Sequence, residues 1–290
     1  MHDGQALDTP LAGTAICRLG TLVAAGEVVV LSGAGLSTES GIPDYRGPSG
    51  ARRRHAPMDY RVFLGDAGAR HRYWARSYLG WPQIARARPN DGHRAVTALQ
   101  DAGALAGVIT QNVDGLHQAA GTRDVIELHG GLDRTLCLGC GERASRRTLD
   151  HRLRAANPGF GAVIDEVNPD GDVELSDAQL GDFRMVGCLV CGGTLKPDVV
   201  FFGENVPRER VERCFELVDM AGAVLVLGSS LTVLSGFRFV RHAARRGIPL
   251  AIVNQGPTRG DALAAVRVDA PLGVVLPALA RAQPPAASSP

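Results

Sequence analysis

Two pairs of cysteines are the residues of this sequence with the most specific chemistry. The pattern Cys-x-x-Cys occurs at Cys137 and Cys140, and again at Cys188 and Cys191. Two such pairs supply four thiolates, the ligand set that Zn²⁺ takes in closed tetrahedral structural sites. Chance cysteines and a redox pair are the alternatives. We predict one structural zinc ion, which takes no part in the chemistry because four sulfurs leave no open position.

A glycine-rich turn, Gly33-Ala34-Gly35, follows the apolar run at 28–31. Glycines let a backbone approach an anion closely, and free N–H groups at a helix start can face a diphosphate. Without the full Gly-x-Gly-x-x-Gly pattern, the turn by itself also fits an ordinary strand-to-helix connection. Charged and aromatic side chains just beyond it favour a ligand-binding turn; this segment is Pro43, Asp44, Tyr45 and Arg46.

Short polar stretches follow apolar runs at five places along the chain. Because the carboxyl ends of parallel strands meet at one edge of a sheet, these stretches predict a cleft for a large polar ligand. The five stretches are 32–35, 111–114, 129–130, 228–230 and 254–256.

Buried strands and covering helices must position these residues. The spacing of apolar residues predicts helices at 11–25, 71–79 and 93–102, and a tail without order from 282 to 290. Apolar runs separated by helix-length sequence predict an α/β fold with a parallel sheet covered on both faces. The six predicted strands are 28–31, 107–110, 125–128, 199–202, 223–227 and 249–253.

The composition is that of an ordinary globular protein and excludes several classes. The 290 residues are 45% hydrophobic and 21% charged, which fits one large domain with or without a smaller module. A formal net charge of +1 gives no electrostatic reason to expect nucleic acid or a membrane as partner. No membrane-length apolar stretch or secretory signal is found, so we expect a cytoplasmic protein.

Together these motifs resemble the sirtuin family of NAD-dependent protein deacylases, over about residues 15 to 275. Short motifs at 73–76, 80–82, 169–172 and 256–259 are most similar to the class II branch of that family. The stretches that carry the family resemblance are 33–37, 41–46, 110–117, 128–130, the two cysteine pairs, 196–204, 228–231 and 253–254.

The resemblance implies a Rossmann-like doubly wound parallel sheet with a smaller zinc-binding domain inserted. The large domain would comprise about 11–47, 93–134 and 196–280. The small domain would comprise a helical part at about 48–92 and the zinc module at 135–195, and 281–290 would form the tail. NAD and an acyl-lysine substrate, carried by a protein or peptide, would meet between the two domains.

The resemblance also implies which residues bind NAD. The glycine turn would line the diphosphate, residues 44–46 would lie beside nicotinamide, and residues 254–256 would lie at the adenosine end. Tyr45 stands where many family members have Phe. The full set is Gly33, Ala34, Gly35, Ser37, Thr38, Pro43, Asp44, Tyr45, Arg46, Gln111, Asn112, Val113, Asp114, Gly228, Ser229, Ser230, Asn254, Gln255, Gly256 and Leu272.

Three residues would take part in catalysis: His129, Asn112 and Asp114. In the implied reaction the acyl oxygen attacks the ribose carbon that bears nicotinamide, and NAD is consumed. His129 would act as general base on a ribose hydroxyl, a role that suits an imidazole near neutral pH. Asn112 would face the nicotinamide ribose. Asp114 would contact the carboxamide, although the cap of a helix is an alternative role.

The acyl-lysine peptide would lie between the segments 199–204 and 233–236, with Val199, Phe201 and Gly203 among its contacts. Tyr73 and Arg76 are three residues apart and therefore share a helical face. A hydroxyl beside a guanidinium suits acidic acyl groups. Packing of the helix against the insert between the cysteine pairs is the alternative for these two residues.

Other functions stay open at this point. The same ribose chemistry serves a protein mono-ADP-ribosyltransferase, and a non-catalytic NAD or ADP-ribose-binding module would keep the same cleft. A nucleic-acid-binding zinc ribbon is a further interpretation of the cysteines, disfavoured by the low net charge. The sequence does not predict the oligomeric state.

Overall fold

The computed structural model describes residues 10–44, 57–162, 168–173, 175, 177–181 and 183–283. Its helices are α1 (Pro10–Ala24), α2 (Tyr60–Gly65), α3 (Ala67–Arg86), α4 (Asp91–Asp101), α5 (Leu116–Ala119), α6 (Arg146–Ala156), α7 (Asp177–Leu180), α8 (Arg208–Asp219), α9 (Leu234–Arg245) and α10 (Leu272–Arg281). Its strands are β1 (Val28–Ser32), β2 (Leu105–Thr110), β3 (Val125–Glu127), β4 (Gly130–Cys137), β5 (Arg143–Ser145), β6 (Leu195–Val199), β7 (Ala223–Leu227), β8 (Leu250–Val253) and β9 (Val266–Val268).

Six strands form a parallel sheet in the order β3-β2-β1-β7-β8-β9. The strand order reverses between β1 and β7, which is the switch point where doubly wound folds bind ligands. Every residue of β1 and β7 is buried. This arrangement confirms the predicted fold class.

Alternate residues of β1 belong to the cores on opposite faces of the sheet. Val28 and Val30 pack with residues of α1, α4 and α10. Val29 and Leu31 pack with residues of α8 and α9. This period of two explains why a continuous apolar run forms the central strand, since both of its faces are covered.

A second, three-stranded sheet has the order β5-β4-β6 and is antiparallel. The prediction that 199–202 is a strand of the parallel sheet was wrong. The strand there is β6, which ends at Val199, and the chain turns at Gly203, whose φ of 76° is left-handed. Strands β4 and β9 were not predicted, because polar residues interrupt their apolar ones.

The helices extend beyond their predicted limits where side chains cap them. Asp66 accepts hydrogen bonds from the N–H groups of Gly68 and Ala69, so α3 begins four residues before the predicted start. Asn90 caps α4, which begins at Asp91. Helix α3 packs with the second sheet in a third core.

Several predicted features lie outside the described residues. These are Tyr45 and Arg46, nearly all of the loop 47–57, much of the acidic part of the insert and the tail from 284. The predicted limits of the two domains stay a prediction. Among the described residues, no helix is both long and apolar enough to cross a membrane.

Candidate active site and metal centre

The turns after β1 and β7 meet at the switch point. A Cβ on Gly35 would lie 2.9 Å from the backbone of Gly228, and a Cβ on Gly33 would lie 2.7 Å from the Cβ of Ser229. The N–H of Gly35 donates to the carbonyl of Gly228 at 2.9 Å. Glycine is therefore required because two backbones touch here. The predicted phosphate turn after β1 thus packs directly against the turn after β7.

A hydrogen-bond cluster joins the glycine turn to the loop after β2. Asn112 Nδ2 donates to Ser37 Oγ and to the carbonyl of Gly33, both at 3.0 Å. Ser37 Oγ donates to Asp114 Oδ2 at 2.6 Å. The other carboxylate oxygen of Asp114 accepts from the N–H of Leu116, so Asp114 also holds the start of α5, although the N-cap of this helix is Gly115. Burial raises the pKa of Asp114.

His129 follows β3 and contacts the same loop. Its Nδ1 lies 2.9 Å from the carbonyl oxygen of Gln111. Because a carbonyl only accepts, Nδ1 carries the proton, and Nε2 of the neutral ring is an acceptor. Burial lowers the pKa of His129, so the ring is neutral at pH 7. Gln111 also reaches the turn after β7, since its Nε2 donates to Ser229 Oγ at 2.8 Å.

A second series of hydrogen-bonded side chains supports the loop after β2. His117 Nε2 lies 2.8 Å from Ser32 Oγ, which donates to Thr110 Oγ1 at 2.8 Å. Thr110 Oγ1 in turn accepts from the N–H of Asn112 at 3.1 Å. The ring of His93 packs against that of His117 at 5.2 Å. These interactions give His117 a structural role in ordering the loop after β2.

Apart from Tyr45 and Arg46, which lie outside the described residues, the remaining predicted NAD residues lie at or beside the same sheet edge. Leu272 begins α10 and lies 2.8 Å from a Cβ built on Gly228. Asn254 and Gly256 follow β8, and Asn254 Nδ2 donates to the carbonyl of Gly256 at 3.0 Å. Thr38 Oγ1 donates to the carbonyl of Gly35 at 3.0 Å. Ala34, Val113, Ser230 and Gln255 lie in the loops that follow β1, β2, β7 and β8, and Pro43 and Asp44 lie further along the connection from β1 to α2.

The four cysteines lie together in the second sheet's module. Their Sγ atoms are all within 4.8 Å of one another, and the Cys137–Cys191 and Cys140–Cys188 distances are 3.5 and 3.8 Å. Tetrahedral Zn²⁺ with Zn–S bonds of about 2.3 Å places its sulfurs about 3.8 Å apart, so the cluster fits the ion. The N–H groups of Cys140 and Gly139 lower the pKa of Cys137 to about 6, which favours a metal-binding thiolate.

The predicted substrate segment is held by an ion pair between buried Lys196 and partly exposed Glu204, which sequence reasoning missed. Lys196 Nζ lies 3.0 Å from Glu204 Oε2 and 4.8 Å from the centre of the Phe201 ring. It also donates a short hydrogen bond to the carbonyl of Val199. Glu204 Oε2 accepts from the N–H of Phe201 at 2.8 Å. The segment that ends at Gly203 is therefore fixed at both sides of its turn.

Tyr73 contacts rings of α2 and of the predicted substrate segment, and the charge of Arg76 acts on Asp172 of the insert. Tyr73 is 2% exposed and meets the rings of Phe63 and Phe201 edge-on, at 5.5 and 5.2 Å. Burial and the charge of Asp170 raise the pKa of Asp172 to about 8, and the charge of Arg76 opposes this rise. Recognition of an acidic acyl group by Tyr73 and Arg76 stays a prediction.

Fold and site together define an α/β protein with polar strand ends gathered at the switch point of its parallel sheet and a four-cysteine module that fits a metal ion. Residues 33–235 match the model of the Sir2 family. The chain belongs to the Sir2 family, which confirms the resemblance seen in the motifs.

Curated relatives and solved structures agree with this assignment. The chain is 60% identical over 273 residues to NAD-dependent protein deacetylase 1 of Streptomyces coelicolor, covering 94% of this chain and 91% of that protein. It is 51% identical to a Mycobacterium avium protein of the same name, covering 91% and 94%. A solved structure described as Sir2-p53 peptide-NAD+ has a TM-score of 0.73 at 29% identity, covering 91% and 95%.

Proposed function

We propose that this chain is an NAD-dependent protein-lysine deacylase of the deacetylase type. It cleaves NAD to nicotinamide and transfers the acyl group from lysine to ADP-ribose. The observation that carries the proposal is His129, a half-buried neutral imidazole with its tautomer fixed by Gln111, at the sheet edge that holds Asn112 and Asp114. Two relatives, at 60% and 51% identity, are named NAD-dependent protein deacetylases.

The residues at the switch point fit an extended dinucleotide. Glycines bring the turns after β1 and β7 into contact, and polar groups of five adjacent strand ends share one edge. Bound NAD supplies the ribose carbon at which the acyl oxygen attacks. Ser37 and the glycine turn would hold the diphosphate, Asn112 would orient the nicotinamide ribose, and Asp114 would accept from the carboxamide.

His129 then has the role of general base. Its Nε2 is the unprotonated nitrogen of the ring and takes the proton of a ribose hydroxyl, while Nδ1 keeps its bond to Gln111. The zinc module has a structural role only, because its four sulfurs complete the coordination of the ion.

The substrate is an acyl-lysine in a protein or peptide. The solved neighbours include complexes with a p53 peptide, and here the segment 199–204 is fixed in place by Lys196 and Glu204. The test is nicotinamide release from NAD in the presence of acetyl-, succinyl- and glutaryl-lysine peptides. Acyl-dependent release with any of them supports a deacylase, and no release with the panel contradicts it.

The same panel decides the role of Tyr73 and Arg76. A preference for the acidic peptides that is lost in Arg76→Ala supports acyl recognition. Equal use of acetyl-lysine, or an unchanged preference in Arg76→Ala, rejects it in favour of packing against the insert.

A cytoplasmic location, as expected from the sequence, is part of the proposed function.

Mono-ADP-ribosyl transfer is the second candidate, because another nucleophile can capture the same ribose carbon. Mass spectrometry of the products separates the two reactions. O-acyl-ADP-ribose as the product supports deacylation, whereas a protein that gains an ADP-ribose mass supports transfer.

A further inference from the structure

A serine lies in hydrogen-bond contact with the base. Ser235 stands in the first turn of α9, and its Oγ is 2.8 Å from His129 Nε2. Since Nδ1 donates to the carbonyl of Gln111, Nε2 of the neutral ring accepts a hydrogen bond from the hydroxyl of Ser235. Both ring nitrogens of His129 are thus partnered, one by a fixed backbone carbonyl and one by a side chain that can rotate.

Packing of α9 fixes the place of this serine. A Cβ on Gly236 would lie 2.5 Å from Gln111 Oε1, so the first turn of α9 fits closely against the loop that holds the His129 ring. Further along the helix, Phe239 and Val240 are fully buried in the core. The hydroxyl of Ser235 is therefore presented to His129 by a rigid element.

We propose that Ser235 is a positioning residue for the general base. This inference rests on the proposed function of His129 and goes beyond it. A hydroxyl has both a proton and lone pairs, so it serves both protonation states of the ring. The Ser235 hydroxyl first rotates its hydrogen away from Nε2, which releases the lone pair of the ring. When the ribose O–H bond then breaks and its proton forms the Nε2–H bond, the ribose oxygen keeps the electron pair for attack on the acyl carbon. The new N–H group then donates to Ser235 Oγ.

The surroundings of His129 make this acceptor important. Burial disfavours the imidazolium, and so do the positive charges of Arg210 on α8 and Arg238 on α9. A hydrogen bond to an ionised partner is roughly twice as strong as one between neutral groups. Ser235 therefore stabilises the imidazolium more than the neutral ring, which assists the proton transfer.

The first test compares Ser235→Ala and Ser235→Thr with the wild-type enzyme. Loss of a hydrogen bond to a charged group predicts a fall of roughly 10- to 100-fold in kcat for deacetylation in Ser235→Ala. Exchange of labelled nicotinamide into NAD precedes the base-dependent step and should stay within about twofold. Ser235→Thr keeps the hydroxyl and should recover most of the rate, while the exposed change Arg245→Ala on α9 should have no effect.

The second test measures the pKa of His129 by NMR titration of the ligand-free protein. We expect the pKa to be lower in Ser235→Ala than in the wild-type chain, because the imidazolium has lost its acceptor. An unchanged pKa, an equal loss of exchange and deacetylation, or full activity in Ser235→Ala would overturn the inference. Absence of NAD-dependent deacetylation in the wild-type chain contradicts the proposed function instead, and the titration still decides the role of Ser235.

Discussion

Ser37 Oγ lies 2.6 Å from Asp114 Oδ2 and joins the turn after β1 to the loop after β2. The two residues are 77 positions apart in the chain, and both are largely removed from solvent. Because burial raises the pKa of Asp114, its carboxylate is held in a place that disfavours its charge. Such a group costs stability and is expected to be retained for function.

The first prediction follows for Asp114→Asn. We expect kcat/KM for NAD to fall roughly 10-fold or more, since a charged hydrogen-bond acceptor is lost. The melting temperature should stay within about 3 °C or rise, because a neutral amide of the same shape is cheaper to bury. Steady-state kinetics and thermal unfolding measure the two effects. Asp101→Asn, in an exposed ion pair with Arg123, is the matched control and should alter neither. Wild-type kinetics in Asp114→Asn would reject a role for this carboxylate.

The second prediction concerns the pH profile and His129. Burial lowers the pKa of His129 from its ordinary value of about 6.5, so activity should persist below pH 6.5 before the acid limb begins. His129→Ala should lower deacetylation by about 10²- to 10⁴-fold. His151→Ala removes an exposed histidine on α6 and serves as control. Deacetylation at the wild-type rate in His129→Ala would falsify the assignment of the base.

The third prediction is a loss of stability in mild acid. Burial lowers the pKa of His93 to about 3 and that of His117 to about 4. Between pH 6.5 and about 4 the unfolded chain binds protons that the folded chain does not. Stability is therefore complete above pH 6.5 and decreases as the pH falls, by about 1.4 kcal/mol per pH unit for each histidine.

Urea unfolding at a series of pH values measures this slope. The double variant His93→Gln and His117→Gln should flatten it, whereas His151→Gln should leave it unchanged because His151 is exposed. A slope that is identical in the double variant and the wild-type chain would show that other groups cause the acid sensitivity.

The fourth prediction concerns zinc. Elemental analysis should find one zinc per chain in the wild-type protein and almost none in Cys140→Ala, with a lower melting temperature. Cys17→Ala removes an exposed cysteine outside the cluster and should keep the metal. Replacement of zinc by cobalt should leave deacetylation within about twofold, because the ion is structural. A large change in kcat with cobalt would contradict the structural role.

The central strands and the polar edge of the parallel sheet were predictable because their signals are local. Strands β1 and β7 are buried on both faces and therefore read as continuous apolar runs. The polar residues after them had to lie together once the sheet was parallel. The cysteine pairs were predictable because a metal site needs a fixed ligand type at short spacing.

The second sheet was less predictable, since β4 has exposed polar positions between its buried ones. Contacts between side chains that only the fold brings together also could not be predicted from the sequence. Ser235 lies 106 positions from His129, and nothing near either residue indicates their contact. Lys196 and Glu204 belong to a recognisable motif, but only the turn between them brings the two charges together.

The burial of Lys196 bears on whether the enzyme can itself be acylated on lysine. Lys196 is the only lysine in the sequence, and it is 2% exposed. All other basic side chains among the 31 lysines and arginines are arginines, which keep their charge and do not form acyl-lysine. An enzyme that removes acyl groups from lysine thus presents no accessible lysine to acyl donors, and it cannot compete with its substrates for its own active site.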